Sequence, residues 1–245
     1  MKILALDSSG LVASVAVVEN DTLLAEYTVN YKKTHSQTLL PMLDEISNMT
    51  ELDLSTIDAI AVAGGPGSFT GLRIGSATAK GLGLALEKPL ISIPTTAAIA
   101  YNIWDTDKFV CPIMDARRNQ VYTGVYCYTD HRLDTVWEQD TMSIEALAEG
   151  LNCLDHEVIF LGDGVAVYRE KLEALLTIPF SFAPAHVNRQ RAAAVGALAE
   201  VYYKEGKIQT AEEHEPEYLR KSQAERERAE RESVKHADVV KKQEN

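Results

Sequence analysis

Twice along this chain, three short β-type segments joined by tight turns are followed by alternating helical and strand-like segments. The apolar run 3–6 ends at Asp7 and reads as a buried strand. Residues 12–18 are β-branched or small, and 23–29 pair back after the turn Glu19-Asn20-Asp21. Leu39, Leu43 and Ile46 then recur at helical spacing, with Thr34 or Ser36 as cap and Pro41 marking a kink or the true start. Strand 58–63, loop 64–70, helix 71–86, strand 90–93 and helix 95–104 complete the first round. The second round gives strands 109–114, 121–128 and 135–139, then helix 143–151 capped by Ser143. Strand 158–161 and helices 165–176 and 189–203 follow.

Each half therefore reads β-β-β-α-β-α, a repeat of order and not of sequence. A three-strand meander followed by crossover helices predicts an α/β protein of two lobes, each a mixed sheet with flanking helices. The polar stretch 105–108 sets the boundary, giving lobes 1–106 and 107–221. With 46% hydrophobic residues, a chain of 245 residues can bury a large core. From residue 222 onward the segment SQAERERAERE and its continuation carry few apolar residues, so 222–245 is expected to be a charged tail, a frayed helix or disorder.

Charge and missing motifs remove whole function classes. A net charge of −12 makes the chain by itself poorly suited to holding nucleic acid, which needs a basic surface. Apolar runs are too short for the roughly 20 residues of a membrane span, and no signal peptide is visible; a soluble cytoplasmic protein is expected. Cys111, Cys127 and Cys153 form no CxxC pair and are expected as three buried thiols. The six histidines include no HExxH and no i,i+4 pair, so no metal ligand set is assigned; no GxSxG elbow occurs, and no catalytic residue is assigned.

Three segments could still carry chemistry. Gly64-Gly65-Pro66-Gly67-Ser68-Phe69-Thr70-Gly71 sits between a strand and a helix, where glycines let the backbone approach a ligand and a helix N-terminus favours phosphate. It lacks the Lys-Ser/Thr of a Walker loop and the GxGxxG spacing, so a tight packing turn is the alternative. Asp7-Ser8 ends the first strand, where a carboxylate can orient a metal or water, or merely cap its turn. Gly162-Asp163-Gly164 holds the matching place in the second half. Asp7, Ser8, Gly65, Gly67, Ser68, Gly162, Asp163 and Gly164 are thus the vestigial or candidate nucleotide-binding set. Gly71, Gly75, Ala79 and Gly83 follow one another at i+4 along one helix. Glycine inside a helix costs roughly 1 kcal/mol against alanine, so this stripe implies close approach of another backbone, from the same domain or a second chain.

The duplicated order, with phosphate-type loops at matching places, resembles the actin, sugar-kinase and heat-shock-chaperone superfamily, with its actin/ribonuclease H-like lobes. Within it, ILALDSS from Ile3, HSQTLLP from His35, the glycine run through Gly75, MDARR from Met114 and PEYLR from Pro216 are similar to the TsaB (YeaZ) family. That resemblance implies a non-catalytic subunit that pairs, through its N-terminal half, with a TsaD-like enzyme transferring threonylcarbamoyl to adenosine 37 of tRNA. It further implies a TsaE-like ATPase as third component, homodimers when alone, tRNA contact only through the complex, and no cofactor. The HxxxH metal helix of TsaD falls by alignment on Thr95 and Ile99, neither of which replaces an imidazole. A stand-alone ATPase or small-molecule kinase of the same superfamily is the alternative, and a metalloprotease is disfavoured by the missing ligands.

Overall fold

A computed structural model describes residues 1–31 and 35–220; Thr34 and the charged tail lie outside the described residues. The first sheet contains β1 (Lys2–Asp7), β2 (Val12–Glu19), β3 (Thr22–Asn30), β4 (Ala59–Gly65) and β5 (Leu90–Pro94) in the order β3-β2-β1-β4-β5. The second contains β6 (Phe109–Asp115), β7 (Gln120–Thr129), β8 (Arg132–Ser143), β9 (Val158–Leu161) and β10 (Phe180–Phe182) in the order β10-β9-β6-β7-β8. Each central strand, β1 or β6, pairs antiparallel on its meander side and parallel with the strand that returns after a helix. Among the described residues, six α-helices accompany them: α1 (Leu39–Thr50), α2 (Phe69–Leu86), α3 (Thr95–Ala100), α4 (Ile144–Leu154), α5 (Gly164–Leu175) and α6 (Ala192–Lys204).

The two halves are more alike than the sequence reading, because β10 completes the second. Its three residues, Phe180-Ser181-Phe182, are too short for an alternation signal and are fixed by parallel pairing with β9. β8 is also longer than expected: its solvent-facing positions alternate only partly and hide the strand's ends. α3 stops at Ala100, short of residue 104. Pro41 falls in the first turn of α1, where its missing N–H costs nothing, and so marks the helix start.

α1 and α2 cover the outer face of the first sheet, with Leu4, Leu6, Val15, Leu43, Ile46 and Ile60 between them. α4 and α5 do the same for the second sheet around Ile113, Leu147, Phe160 and Leu172. Between the sheets lie α3 and α6, and one apolar core there joins Ile3, Ala5, Ile91 and Ile93 to Val110, Met114, Tyr126 and Leu161. α6 packs on β1 and β2, although it follows the strands of the second sheet. Gly196 permits that approach, since a Cβ there would lie 2.7 Å from a Val18 methyl. Fully burying a side chain such as Ile93 or Ile99 contributes about 1.5–3 kcal/mol, so this shared core binds the lobes to each other.

Candidate functional site: the cleft between the lobes

The C-terminal ends of β1 and β6 open on a cleft of about 780 Å³ lined by residues 9–11, 67–70, 114–117 and 217–220, with His35, Arg73, Tyr122 and Asp163. Of the expected nucleotide set, Gly67, Ser68 and Asp163 line this cleft, whereas Asp7, Ser8, Gly65, Gly162 and Gly164 lie behind its wall. Sequence reasoning assigned no site role to Arg73, Asp115, Arg117, Glu217, Tyr218 or Arg220, although MDARR and PEYLR were both visible as family marks.

In the first lobe, the loop after β1 presses into the glycine loop after β4. The Ser68 N–H donates to the Ser9 carbonyl at 2.7 Å, and a Cβ on Gly67 would lie 2.3 Å from that same oxygen. Ser8 Oγ donates to the Gly71 carbonyl at 2.9 Å. Ser68 caps α2, its Oγ accepting from the Gly71 N–H at 3.3 Å. Two donors that a phosphate cradle could offer, the Ser68 and Gly71 N–H groups, are thus engaged by the chain's own oxygens, as in a packing turn.

Asp7 is fully buried. Its Oδ1 accepts from the Ser9 backbone N–H at 2.9 Å and the Ser9 hydroxyl at 2.7 Å, while Oδ2 has no hydrogen-bond partner among the described residues. Burial pushes its carboxyl up to about 6, against the pull of both Ser9 bonds. In the second lobe, burial likewise raises the Asp163 carboxyl above the ordinary carboxylate range, opposed by the Asp115 N–H, which donates to Asp163 Oδ1 at 3.2 Å, and by nearby Arg189. Gly162 has a φ of +103°, and a Cβ there would meet the Ile113 carbonyl at 2.2 Å. Asp115 Oδ1 accepts from the Arg117 N–H at 2.8 Å and from the Tyr168 hydroxyl at 3.1 Å.

The stripe on α2 faces inward, and the expectation of a docking face along Gly71, Gly75, Ala79 and Gly83 is corrected. A Cβ on Gly71 would lie 2.1 Å from the Ser8 carbonyl, one on Gly75 2.5 Å from Ser8 Oγ, and one on Gly83 2.4 Å from the Leu90 side chain. Ala79 is fully buried in the same seam. The backbone that approaches at Gly71 is the chain's own loop after β1, and at Gly83 it is the Lys88 carbonyl ahead of β5. The opposite face of α2 is exposed and also small: Ala77, Gly81 and Ala85 are open, Leu84 is 62% exposed, and a Cβ on Gly81 would touch nothing within 4 Å.

The two positions aligned with the TsaD metal helix are interior. Thr95 Oγ1 accepts the Gly65 N–H at 3.2 Å, and Ile99 sits in the core between the sheets. Among the described residues, no group of three His, Cys, Asp or Glu side chains could hold a metal ion. The expectation of three buried thiols fails for two: Cys111 is buried, with its thiol pushed up to about 12 by burial, but Cys127 is half-buried and Cys153 exposed. No described helix is long and apolar enough to cross a membrane.

Comparison with known proteins agrees with this architecture at two levels. At the level of fold, the inorganic polyphosphate/ATP-glucomannokinase of Arthrobacter sp. strain KM superposes with a TM-score of 0.51 at 15% identity, over 83% of this chain and 99% of that one. The duplicated lobes are thus those of the sugar-kinase type. More specifically, the family model of TsaD, tRNA N6-adenosine threonylcarbamoyltransferase, matches residues 22–228. The tRNA threonylcarbamoyladenosine biosynthesis protein TsaB of Bacillus subtilis is 32% identical over 92% of this chain and 96% of its own. YeaZ from Pseudomonas aeruginosa superposes with a TM-score of 0.77 at 28% identity, covering 89% of this chain and 99% of its own. The chain belongs to the TsaB (YeaZ) family, within the wider group that the TsaD model describes.

Proposed function

We propose that this chain acts in the formation of threonylcarbamoyladenosine in tRNA as the non-catalytic, activating partner of a TsaD-like subunit that transfers the threonylcarbamoyl group to adenosine 37. The observation that carries this reading is the seam between the loop after β1 and the glycine loop. Where a superfamily enzyme needs free N–H donors for phosphate, Ser68 donates to Ser9 and the glycines lie against Ser8 and Ser9 oxygens. The aligned metal positions, Thr95 and Ile99, are spent on a backbone hydrogen bond and on core packing. What the first lobe offers instead is a bare helix face. We place the docking surface on the outward side of α2, at Ala77, Gly81 and Leu84, where small side chains let another helix approach closely. Self-pairing of the chain alone would use the same face, and a TsaE-like ATPase would join the pair. The net charge of −12 supports tRNA reaching this subunit only through the assembly.

The test is pairing with the TsaD-like subunit of the same cell. Gly81→Arg places a long charged side chain on the proposed face without touching the core. It is expected to weaken pairing by about 100-fold, or about 2.7 kcal/mol, with a melting temperature no lower than that of the parent chain. Parental affinity in that variant would remove α2 as the docking face. Steady ATP turnover by the purified chain alone would favour the kinase or ATPase alternative.

A further inference from the structure

After α6 the chain does not leave the molecule. Leu90 and Gln209 exchange backbone hydrogen bonds of 2.8 and 2.9 Å, which places the descending segment along the free edge of β5. Lys80 Nζ then donates to the His214 carbonyl at 2.8 Å, and the His214 side chain is buried. From there residues 216–220 run along the glycine loop and cross the mouth of the cleft.

We infer that residues 216–220 form an intramolecular clasp that holds the two lobes closed over the cleft, by contacts with both lobes. On the first lobe, the Glu217 N–H donates to the Gly64 carbonyl at 2.7 Å. The Tyr218 ring lies 4.7 Å from that of Phe69, and Arg73 stands over Phe69 at 4.0 Å while its Nε donates to the Tyr218 hydroxyl at 3.3 Å. On the second lobe, Gln139 of β8 donates to Glu217 Oε2 at 2.5 Å, and the Arg220 guanidinium donates to the Ala116 carbonyl in the turn after β6. Gly65 is shaped for this segment: its φ is +124°, and a Cβ there would lie 2.2 Å from the Glu217 carbonyl. One pentapeptide thus bridges loops from both sheets, at the end of the molecule away from the 101–108 connection. Together with the core between the sheets, it fixes the angle between the lobes at two ends. The segment also lines the cleft through Leu219 and Arg220, so a ligand entering there must share the space with it or displace it. Arg73 belongs to both features: it anchors Tyr218 and lies one turn before Ala77 on the exposed side of α2, where a partner covering that face would touch it.

The full chain carries the test. One spin label goes on exposed Cys153 of α4, and a second on Asn30→Cys at the cleft end of β3, with Cys127→Ser to avoid a third. The clasp variants are Arg220→Ala and the double Tyr218→Ala/Arg220→Ala. With the clasp intact, a single narrow distance is expected, with slow exchange of the Glu217 amide. In the double variant the distance distribution broadens toward longer values and the Glu217 amide exchanges about tenfold faster or more, with Arg220→Ala intermediate. If the double variant fails to fold, Arg220→Ala alone decides. A distance distribution unchanged in every folded variant would overturn the clasp, as would a Glu217 amide already exchanging at the unprotected rate in the parent chain.

Discussion

Asp7 and Asp115 end the central strands of two sheets with the same topology, yet their surroundings have diverged. The Asp7 side chain is fully buried, bonded among the described residues only to its neighbour Ser9, and covered by glycines that bring α2 against its loop. Asp115 keeps contact with the cleft and is held by Arg117 and Tyr168 in a turn where Arg117, Arg118 and Asn119 all take positive φ, at 64°, 56° and 60°. Three successive left-handed residues cost of order 1–2 kcal/mol each. Asn119 is held in return by Glu145 at 2.8 Å and by Lys171 at 2.7 Å. Both corners pack glycine against backbone, more tightly near the helix start of the first, 2.1 Å at Gly71 against 2.9 Å at Gly164, and of the two strand-end carboxylates Asp115 lines the cleft while Asp7 does not.

The largest test of this contrast uses one substitution in each corner. Gly71→Ala drives a methyl into the Ser8 carbonyl and is expected to cost more than about 3 kcal/mol. Gly164→Ala, whose new Cβ would lie 2.9 Å from the Ile113 carbonyl, is expected to cost about 1 kcal/mol. Equal denaturant midpoints for the two would erase the distinction.

Next comes the buried carboxylate. Between the ordinary value near 3.8 and the folded value of about 6, the folded chain holds a proton that the unfolded chain releases. Stability from this group is thus full below the lower value and lost as pH rises through the upper, by up to about 3 kcal/mol. Asp7→Asn removes that slope. The variant should match the parent closely near pH 4 and exceed it by about 3 kcal/mol near pH 7, as followed by urea unfolding at each pH. A constant offset between the two chains would mean that Asp7 ionises without penalty. Tyr168→Phe probes the open corner, with an expected loss of about 1 kcal/mol for the bond to Asp115. The smallest effect belongs to the outward face of α2: Gly81→Ala should raise stability by about 0.5–1 kcal/mol, measurable as a higher melting temperature.

Much of this fold was legible because its signals are local. Val12–Val18 is β-branched or small, Ser143 does cap α4 through the Ala146 N–H at 3.1 Å, and the loops after β1, β4 and β9 fell where glycine and aspartate placed them. β10 was hidden because three residues carry no period, and the length of β8 because pairing with β7, not its own pattern, sets its ends. The glycine stripe announced close backbone approach correctly, but periodicity gives a face without its direction. Whether Gly71 looks at Ser8 or at a partner depends on long-range packing. The cleft was the least legible part, since Gly65, Phe69, Ala116, Gln139 and Tyr218 meet only after the lobes are assembled. A Gly65 that must accept the Glu217 carbonyl looks, in sequence, like any loop glycine.

The central claim is that this chain activates a catalytic partner without performing chemistry itself. The direct measurement is threonylcarbamoyl transfer to adenosine 37 of tRNA by the TsaD-like subunit of the same cell, with TsaE-like ATPase and threonylcarbamoyl-adenylate supplied, with and without this chain. The account predicts transfer that depends on the chain, survives Asp7→Asn, and falls with Gly81→Arg. Full transfer by the TsaD-like subunit in the absence of the chain would contradict it.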